Sequence, residues 1–132
     1  MQTEKIIYRA VVTGATRGIG YAIAERLLKD GIEVIVTGTK KDGRHPTGSS
    51  YYQVNFLNEE STNKFINYLK NQQINILINN AGINKINEFS SIDINDFDRI
   101  LRVNLRSPFQ FCQAVIPFME KIKWGRIVNL TS

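Results

Sequence analysis

At 132 residues the chain has room for one domain. Its 42% hydrophobic and 22% charged residues are ordinary for a globular protein and exclude a disordered or fibrous chain. The net charge is +5, but the basic residues are scattered rather than blocked, which argues against a nucleic-acid partner. One cysteine, Cys112, allows no internal disulfide, the N-terminus shows no signal-peptide core, and no apolar run reaches membrane-spanning length. The chain therefore reads as cytoplasmic, with no membrane partner and no internal repeat.

Ile6, Ile7, Ala10, Val11 and Val12 predict a buried first strand. The stretch Thr13-Gly14-Ala15-Thr16-Arg17-Gly18-Ile19-Gly20 follows, and then a helix from about Ile19 to Lys29. Ile19, Ala22, Ile23 and Leu27 would form its inner face, Glu25 and Lys29 would pair along it, and Gly31 would cap it in the left-handed conformation. Three glycines thus sit where a strand becomes a helix. The first amides of a helix lack internal partners and carry partial positive charge, so a phosphate can bind there if no side chain blocks it. Gly14 permits the tight turn, Gly18 close approach and Gly20 packing of the helix on the strand. No Gly-Lys-Ser/Thr follows, so the turn is not a P-loop.

Glu33 to Thr37 is a β-branched run and predicts a second parallel strand, joined to the first by a right-handed crossover. In dinucleotide-binding folds an acid at the end of this strand bonds the ribose 2′-hydroxyl of NAD. Here Gly38, Thr39 and Lys40 occupy that place, and Arg17 is within the glycine turn. The absence of a carboxylate favours NADP(H) over NAD, and it argues equally against an adenosyl-methionine site. Lys40 to Ser50 reads as a loop rather than a crossover helix, with the lone His45 a solvated loop residue.

Tyr51 to Phe56 predicts a third strand, and Asn58 a cap for a helix with Phe65, Ile66 and Leu69 inward and Asn71 at its end. Ile74 to Ile78 is a fourth strand buried on both faces, running into Asn79-Asn80-Ala81-Gly82 at the end where open α/β sheets bind ligands. Asp93 or Ser91 caps a further helix with Ile94, Phe97, Ile100 and Leu101 on one face and Asn104 inside it. Phe109, Cys112, Ile116 and Met119 form another stripe, suited to core or subunit interface; Pro117 would bend this helix and Gly125 would stop it. Arg126 to Ser132 is a fifth strand. Nothing has metal-ligand spacing.

Taken together, Thr13-Gly14-x-x-x-Gly18-x-Gly20, Asn79-Asn80-Ala81-Gly82, Val103-Asn104-Leu105 and the run Arg126 to Ser132 resemble the short-chain dehydrogenase/reductase family. Within it the chain is most similar to the 3-oxoacyl-acyl-carrier-protein reductases. The resemblance implies an α/β fold, a Rossmann-type doubly wound parallel sheet, truncated here after the fifth strand, in a single 1–132 domain. It implies NADP(H) held by Gly14, Thr16, Arg17, Gly18, Ile19 and Gly20, with Gly38 and Thr39 beside the adenosine ribose. Asn55 would contact the adenine, and Asn80, Ala81 and Gly82 would line the ribose and nicotinamide side. Ser132 would hydrogen-bond the substrate oxygen and Asn104 would hold a water in the proton relay. The partner would be a small-molecule or acyl-carrier-linked carbonyl compound, and the full-length protein a homo-oligomer.

The family's proton donor is a tyrosine followed four residues later by lysine. In this chain Tyr8, Tyr21, Tyr51, Tyr52 and Tyr68 are followed at that distance by Val12, Glu25, Asn55, Phe56 and Gln72. The expectation is therefore that these residues are about the N-terminal half of such an enzyme, inactive alone and with an exposed last strand. The alternative is a non-catalytic nucleotide-binding module or the product of a decayed gene.

Overall fold

A computed structural model describes residues 5–131. Its five strands, β1 (Arg9–Val12), β2 (Glu33–Gly38), β3 (Ser50–Gln53), β4 (Ile76–Asn79) and β5 (Arg126–Asn129), are all parallel and lie in the order β3-β2-β1-β4-β5. This is the predicted α/β doubly wound sheet. The chain leaves β1 in one direction for β2 and β3 and returns on the other side for β4 and β5. The order therefore switches between β1 and β4, the place where such sheets open a ligand crevice.

Strand residues alternate between two cores, one on each face. Val11, Ile35 and Leu77 point to one side, where α2 (Glu59–Lys70) and α4 (Ser107–Ile122) bring Phe65, Leu69, Phe111 and Val115. Ala10, Val12, Val34, Val36, Ile76 and Ile78 point to the other, against Ala24 of α1 (Gly18–Lys29). Such burial on both faces requires the near-continuous apolar runs of β1, β2 and β4.

The elements differ from expectation in several places. β1 starts at Arg9, with Ile6 and Ile7 exposed before it. The Asn75 side chain accounts for this: its Oδ1 accepts from Arg9 N and its Nδ2 donates to Ile7 O, both at 2.9 Å, taking backbone groups that a ladder would use. Likewise β4 begins at Ile76, and β3 ends at Gln53, short of Phe56. The inner face of α1 is Gly20, Ile23, Ala24, Leu27 and Leu28, not the stripe through Ile19 and Ala22; Ile19 is 66% exposed. Its i,i+4 ion pair is Arg26–Asp30, not Glu25–Lys29. Gly31 does cap it, at φ +82°, with Gly31 N donating to Leu28 O and Ile32 N to Leu27 O, both at 3.0 Å.

Residues 39–49 form the expected loop. Asn58 caps α2 as predicted, its Oδ1 accepting from Ser61 N at 2.8 Å. Asp93, not Ser91, caps α3 (Ile94–Leu101), with Oδ1 2.7 Å from Asn95 N. A π turn over Arg102–Arg106 joins α3 to α4 without a break. Much of the predicted apolar face of this rod is uncovered: Ile94, Phe97 and Phe109 are 67%, 49% and 63% exposed, and Leu105 beside them is 64% exposed. Of the predicted stripe Met119 is buried and Cys112 packs against the core, and Val103, Phe111, Ala114 and Val115, outside that stripe, enter the core with them. The rod ends on Lys123 in the left-handed conformation (φ +56°), not on Gly125; Gly125 is instead pressed against Met119, whose Cγ would lie 2.5 Å from an added Cβ. β5 is the edge of the described sheet, with Val128 47% exposed. Among the described residues no helix is long and apolar enough to cross a membrane.

Candidate cofactor site

The turn after β1 and the loop after β4 form one hydrogen-bonded unit. Thr13 is buried, and its hydroxyl accepts from Asn80 N and Ala81 N, each at 3.0 Å. The Asn80 Nδ2 returns the contact, donating to Thr13 O at 3.1 Å and Gly14 O at 3.0 Å. Gly20 leaves the space that this amide fills: a Cβ there would strike Asn80 Nδ2 and stand 2.8 Å from Gly14 O. Gly14, at φ +62°, has Ala81 Cα 2.8 Å from where its Cβ would be. On the other side, Gly14 N donates to Thr37 Oγ1 at 3.0 Å and Ala15 N to Thr37 O at 3.1 Å, tying the turn to the end of β2.

What this frame presents is a bare helix end. Arg17 is the N-cap residue of α1, in extended conformation, with no side-chain capping bond, and the first turn holds no acid. Gly18 stands at φ +59° with nothing within 4 Å of an added Cβ. Unpartnered amides with partial positive charge therefore face a cleft of about 470 Å³. Gly14, Thr16, Arg17, Gly18 and Ile19 form its turn side, so Ile19 faces the cleft instead of the core. Gly38 and Thr39 close the β2 end, Asn55 the β3 end, and Asn80, Ala81 and Gly82 the β4 end. The predicted cofactor residues thus meet in one place, apart from Gly20, which lies behind the turn.

The polar groups differ in how much bonding capacity they keep. Asn55 Oδ1 accepts from Leu57 N at 3.0 Å, while its amide NH₂ has no partner among the described residues. The Asn80 side chain is committed to the turn. Asn104, in the π turn, grips the backbone of Ile83 twice: Oδ1 accepts from its N and Nδ2 donates to its O, both at 2.8 Å. This fixes the loop that follows Gly82; Asn104 is not a merely solvated helix residue. Gly38 has no room for a side chain, because a Cβ would stand 2.5 Å from Thr16 Cγ2 and 2.6 Å from the Tyr51 hydroxyl. Ser132 lies outside the described residues. No group of three or more His, Cys, Asp or Glu residues able to hold a metal exists among the described residues.

Residues 8–132 match the family model described as short chain dehydrogenase. The chain belongs to the short-chain dehydrogenase family. It is 38% identical over 135 residues to 3-oxoacyl-[acyl-carrier-protein] reductase FabG of Aquifex aeolicus (strain VF5), and 38% identical over 131 residues to the enzyme of that name from Buchnera aphidicola subsp. Acyrthosiphon pisum (strain APS). In both cases 93% of this chain aligns with 54% of the relative, so the chain spans about half the length of the curated relatives it matches. Among solved structures it superposes on a bulky-bulky ketone specific alcohol dehydrogenase from Comamonas testosteroni with a TM-score of 0.85 and 25% identity, over 95% of this chain and 55% of that one. It also superposes on a metagenomic short-chain oxidoreductase in complex with NADP, with a TM-score of 0.82 and 26% identity, over 95% and 62%.

Two residues that hold this site have roles the sequence does not disclose: Thr13, quoted only as the start of the glycine motif, and Thr37, read only as the end of a strand. Thr13 and Thr37 are both buried and each accepts backbone N–H groups of the turn and loop. Their only signal is a hydroxyl placed where an apolar strand ends. Burial pushes the Tyr51 and Tyr68 phenols above their ordinary value.

Proposed function

We propose that this cleft binds NADP(H) and that the chain supplies the cofactor half of a carbonyl reductase. The uncapped start of α1, open above Gly18, carries the reading. It would hold the pyrophosphate, while Arg17 and Thr39 flank the adenosine ribose. Gly38 adds a steric argument for NADP(H) over NAD, since Thr16 and Tyr51 occupy the space an acidic side chain would need there. The free NH₂ of Asn55 suits a ring nitrogen of the adenine.

When bound, the reduced nicotinamide supplies hydride for a carbonyl carbon. The carbonyl oxygen then gains negative charge, and Ser132 would donate its hydroxyl to it. Asn104 keeps one amide hydrogen and one lone pair beyond its Ile83 contacts, enough to hold a relay water. The named reductase relatives make a 3-oxoacyl thioester the first substrate to test. No tyrosine in the 132 residues has lysine four positions on. We therefore expect the chain alone to take up NADPH and leave a 3-oxoacyl thioester unreduced. A longer polypeptide containing such a pair should consume NADPH faster than NADH, and lose turnover on Ser132→Ala. Reduction by the 132-residue chain itself would contradict this account, and inactivity of the longer polypeptide would favour a non-catalytic nucleotide module.

The exposed face of the rod from α3 to α4 is proposed as a contact with a second copy. Ile94, Phe97, Leu101, Leu105 and Phe109 recur on one side of it. Along the same rod Asp93 and Asp98 precede Arg99, Arg102 and Arg106, while Asp96 is already paired with Lys85 at 2.8 Å. Two such helices packed antiparallel about a two-fold axis would set acids opposite guanidiniums around an apolar seam.

A further inference from the structure

We infer that the rod from α3 to α4 carries a second anion site, built by Arg99, Arg102 and Arg106, that takes a phosphomonoester with a small apolar body. The site lies outside the cofactor cleft and stands independently of how that cleft is read. A groove of about 610 Å³ runs along the rod, within the size range of small-molecule sites. The three arginines line it together with Asp98, Leu101 and Leu57. Residues three and four apart share a helix face, so the guanidiniums leave the rod as a row. Leu57 comes from the loop between β3 and α2, packs on the core and is held there by its N, which donates to Asn55 Oδ1 at 3.0 Å.

These guanidiniums are uncommitted. None of them makes an ion pair or a side-chain hydrogen bond among the described residues, whereas Arg9 and Arg26 pair with Glu33 and Asp30. Asp98 stands four residues before Arg102, the spacing of a helical ion pair, and forms none. Glu59 shares an adjoining cavity of about 10 Å³ with Arg102 and Arg106, room for about one water, and pairs with neither. Like charges in a row repel one another, and an anion placed among them offsets that repulsion.

The charge count selects the ligand. Three guanidiniums and one carboxylate leave the groove two net positive charges. A phosphomonoester carries about −1.5 to −2 at pH 7, and a carboxylate only one negative charge. The planar fork of a guanidinium matches phosphate oxygens. Leu57 and Leu101, the latter 40% exposed, offer an apolar surface to the rest of the ligand. A guanidinium has donors on more than one edge, so an arginine at the rim of the apolar seam can meet a second copy's carboxylate on one edge and a phosphate on another.

The test is a titration of the isotope-labelled full chain with phenyl phosphate and with benzoate, followed by backbone amide shifts. It uses the native sequence, Arg102→Ala, Arg102→Lys, Asp98→Asn and, as a remote control of equal charge change, Arg26→Ala, each shown by thermal unfolding to be folded. Phenyl phosphate should give saturable shifts at Leu57 and at Asp98 to Arg106, and should bind about fivefold more tightly than benzoate. Arg102→Ala should weaken it by about tenfold, the scale of one charge-assisted contact at a screened surface. Arg102→Lys should recover part of that loss, and Asp98→Asn should tighten binding by about twofold. Arg26→Ala should leave it within about twofold. A response confined to Thr16 to Gly20, binding undiminished in Arg102→Ala, an equal loss in Arg26→Ala or equal binding of benzoate would overturn the assignment. So would binding that disappears as the native chain self-associates, which would give these guanidiniums to the second copy's acids alone.

Discussion

The Thr13 hydroxyl takes two backbone N–H groups that no other acceptor among the described residues reaches, Asn80 N and Ala81 N. Thr13→Val keeps the shape and removes the acceptor, leaving two half-buried donors without it. Equilibrium urea unfolding should show a loss of about 1–3 kcal/mol, and Thr13→Ser should restore most of it. Gly18→Ala separates conformation from space: its φ of +59° is strained for alanine, but no protein atom is in the way. Stability should fall by about 1 kcal/mol, while dinucleotide binding falls much further because the methyl group enters the cleft. The sequence reading found the three glycines because a strand–turn–helix has few ways to expose its amides. It could not give the reason for Gly20, which is the side chain of Asn80, sixty positions away in the chain. Nor could it see that Asn104 grips Ile83.

Among the elements, α2 was the most legible, because its cap, its apolar spacing and its stop agree. Asn58→Ala should cost about 1 kcal/mol in thermal or urea unfolding through loss of the 2.8 Å bond to Ser61 N. The inner face of α1 was misread at Ile19 and Ala22 for a physical reason. Apolar periodicity marks residues that leave water, but it does not say whether protein or ligand takes water's place, and Ile19 fronts the cleft. The rod from α3 to α4 shows the same ambiguity, since Phe97 and Phe109 of its apolar stripes are exposed while Met119 is buried and Phe111 and Val115, off the stripe, join it in the core. The loop over residues 39–49 was correctly expected from its Gly, Pro and Ser content. That the His45 ring stacks on Tyr51, whose hydroxyl donates to Lys40 O, became visible only in three dimensions.

At the scale of the molecule, the doubly wound sheet was expected from the family resemblance, its strand order is visible only in the structure, and the sheet's two cores follow from strands apolar on both faces. The uncovered face of α3 and α4 gives a prediction at this scale. If it seats a second copy, sedimentation should find the native chain at least dimeric, and Phe97→Glu with Leu105→Glu should make it monomeric without lowering its unfolding temperature. A native chain that sediments as a monomer at all accessible concentrations would remove that proposal.

The most direct measurement is a titration of the labelled chain with NADPH followed by backbone amide chemical shifts. The account predicts saturable changes concentrated at Thr16 to Gly20, at Gly38 and Thr39, and at Asn80 to Gly82. Absence of saturation, or shifts confined to the arginine-lined groove of Arg99, Arg102 and Arg106 on the neighbouring surface, would contradict it.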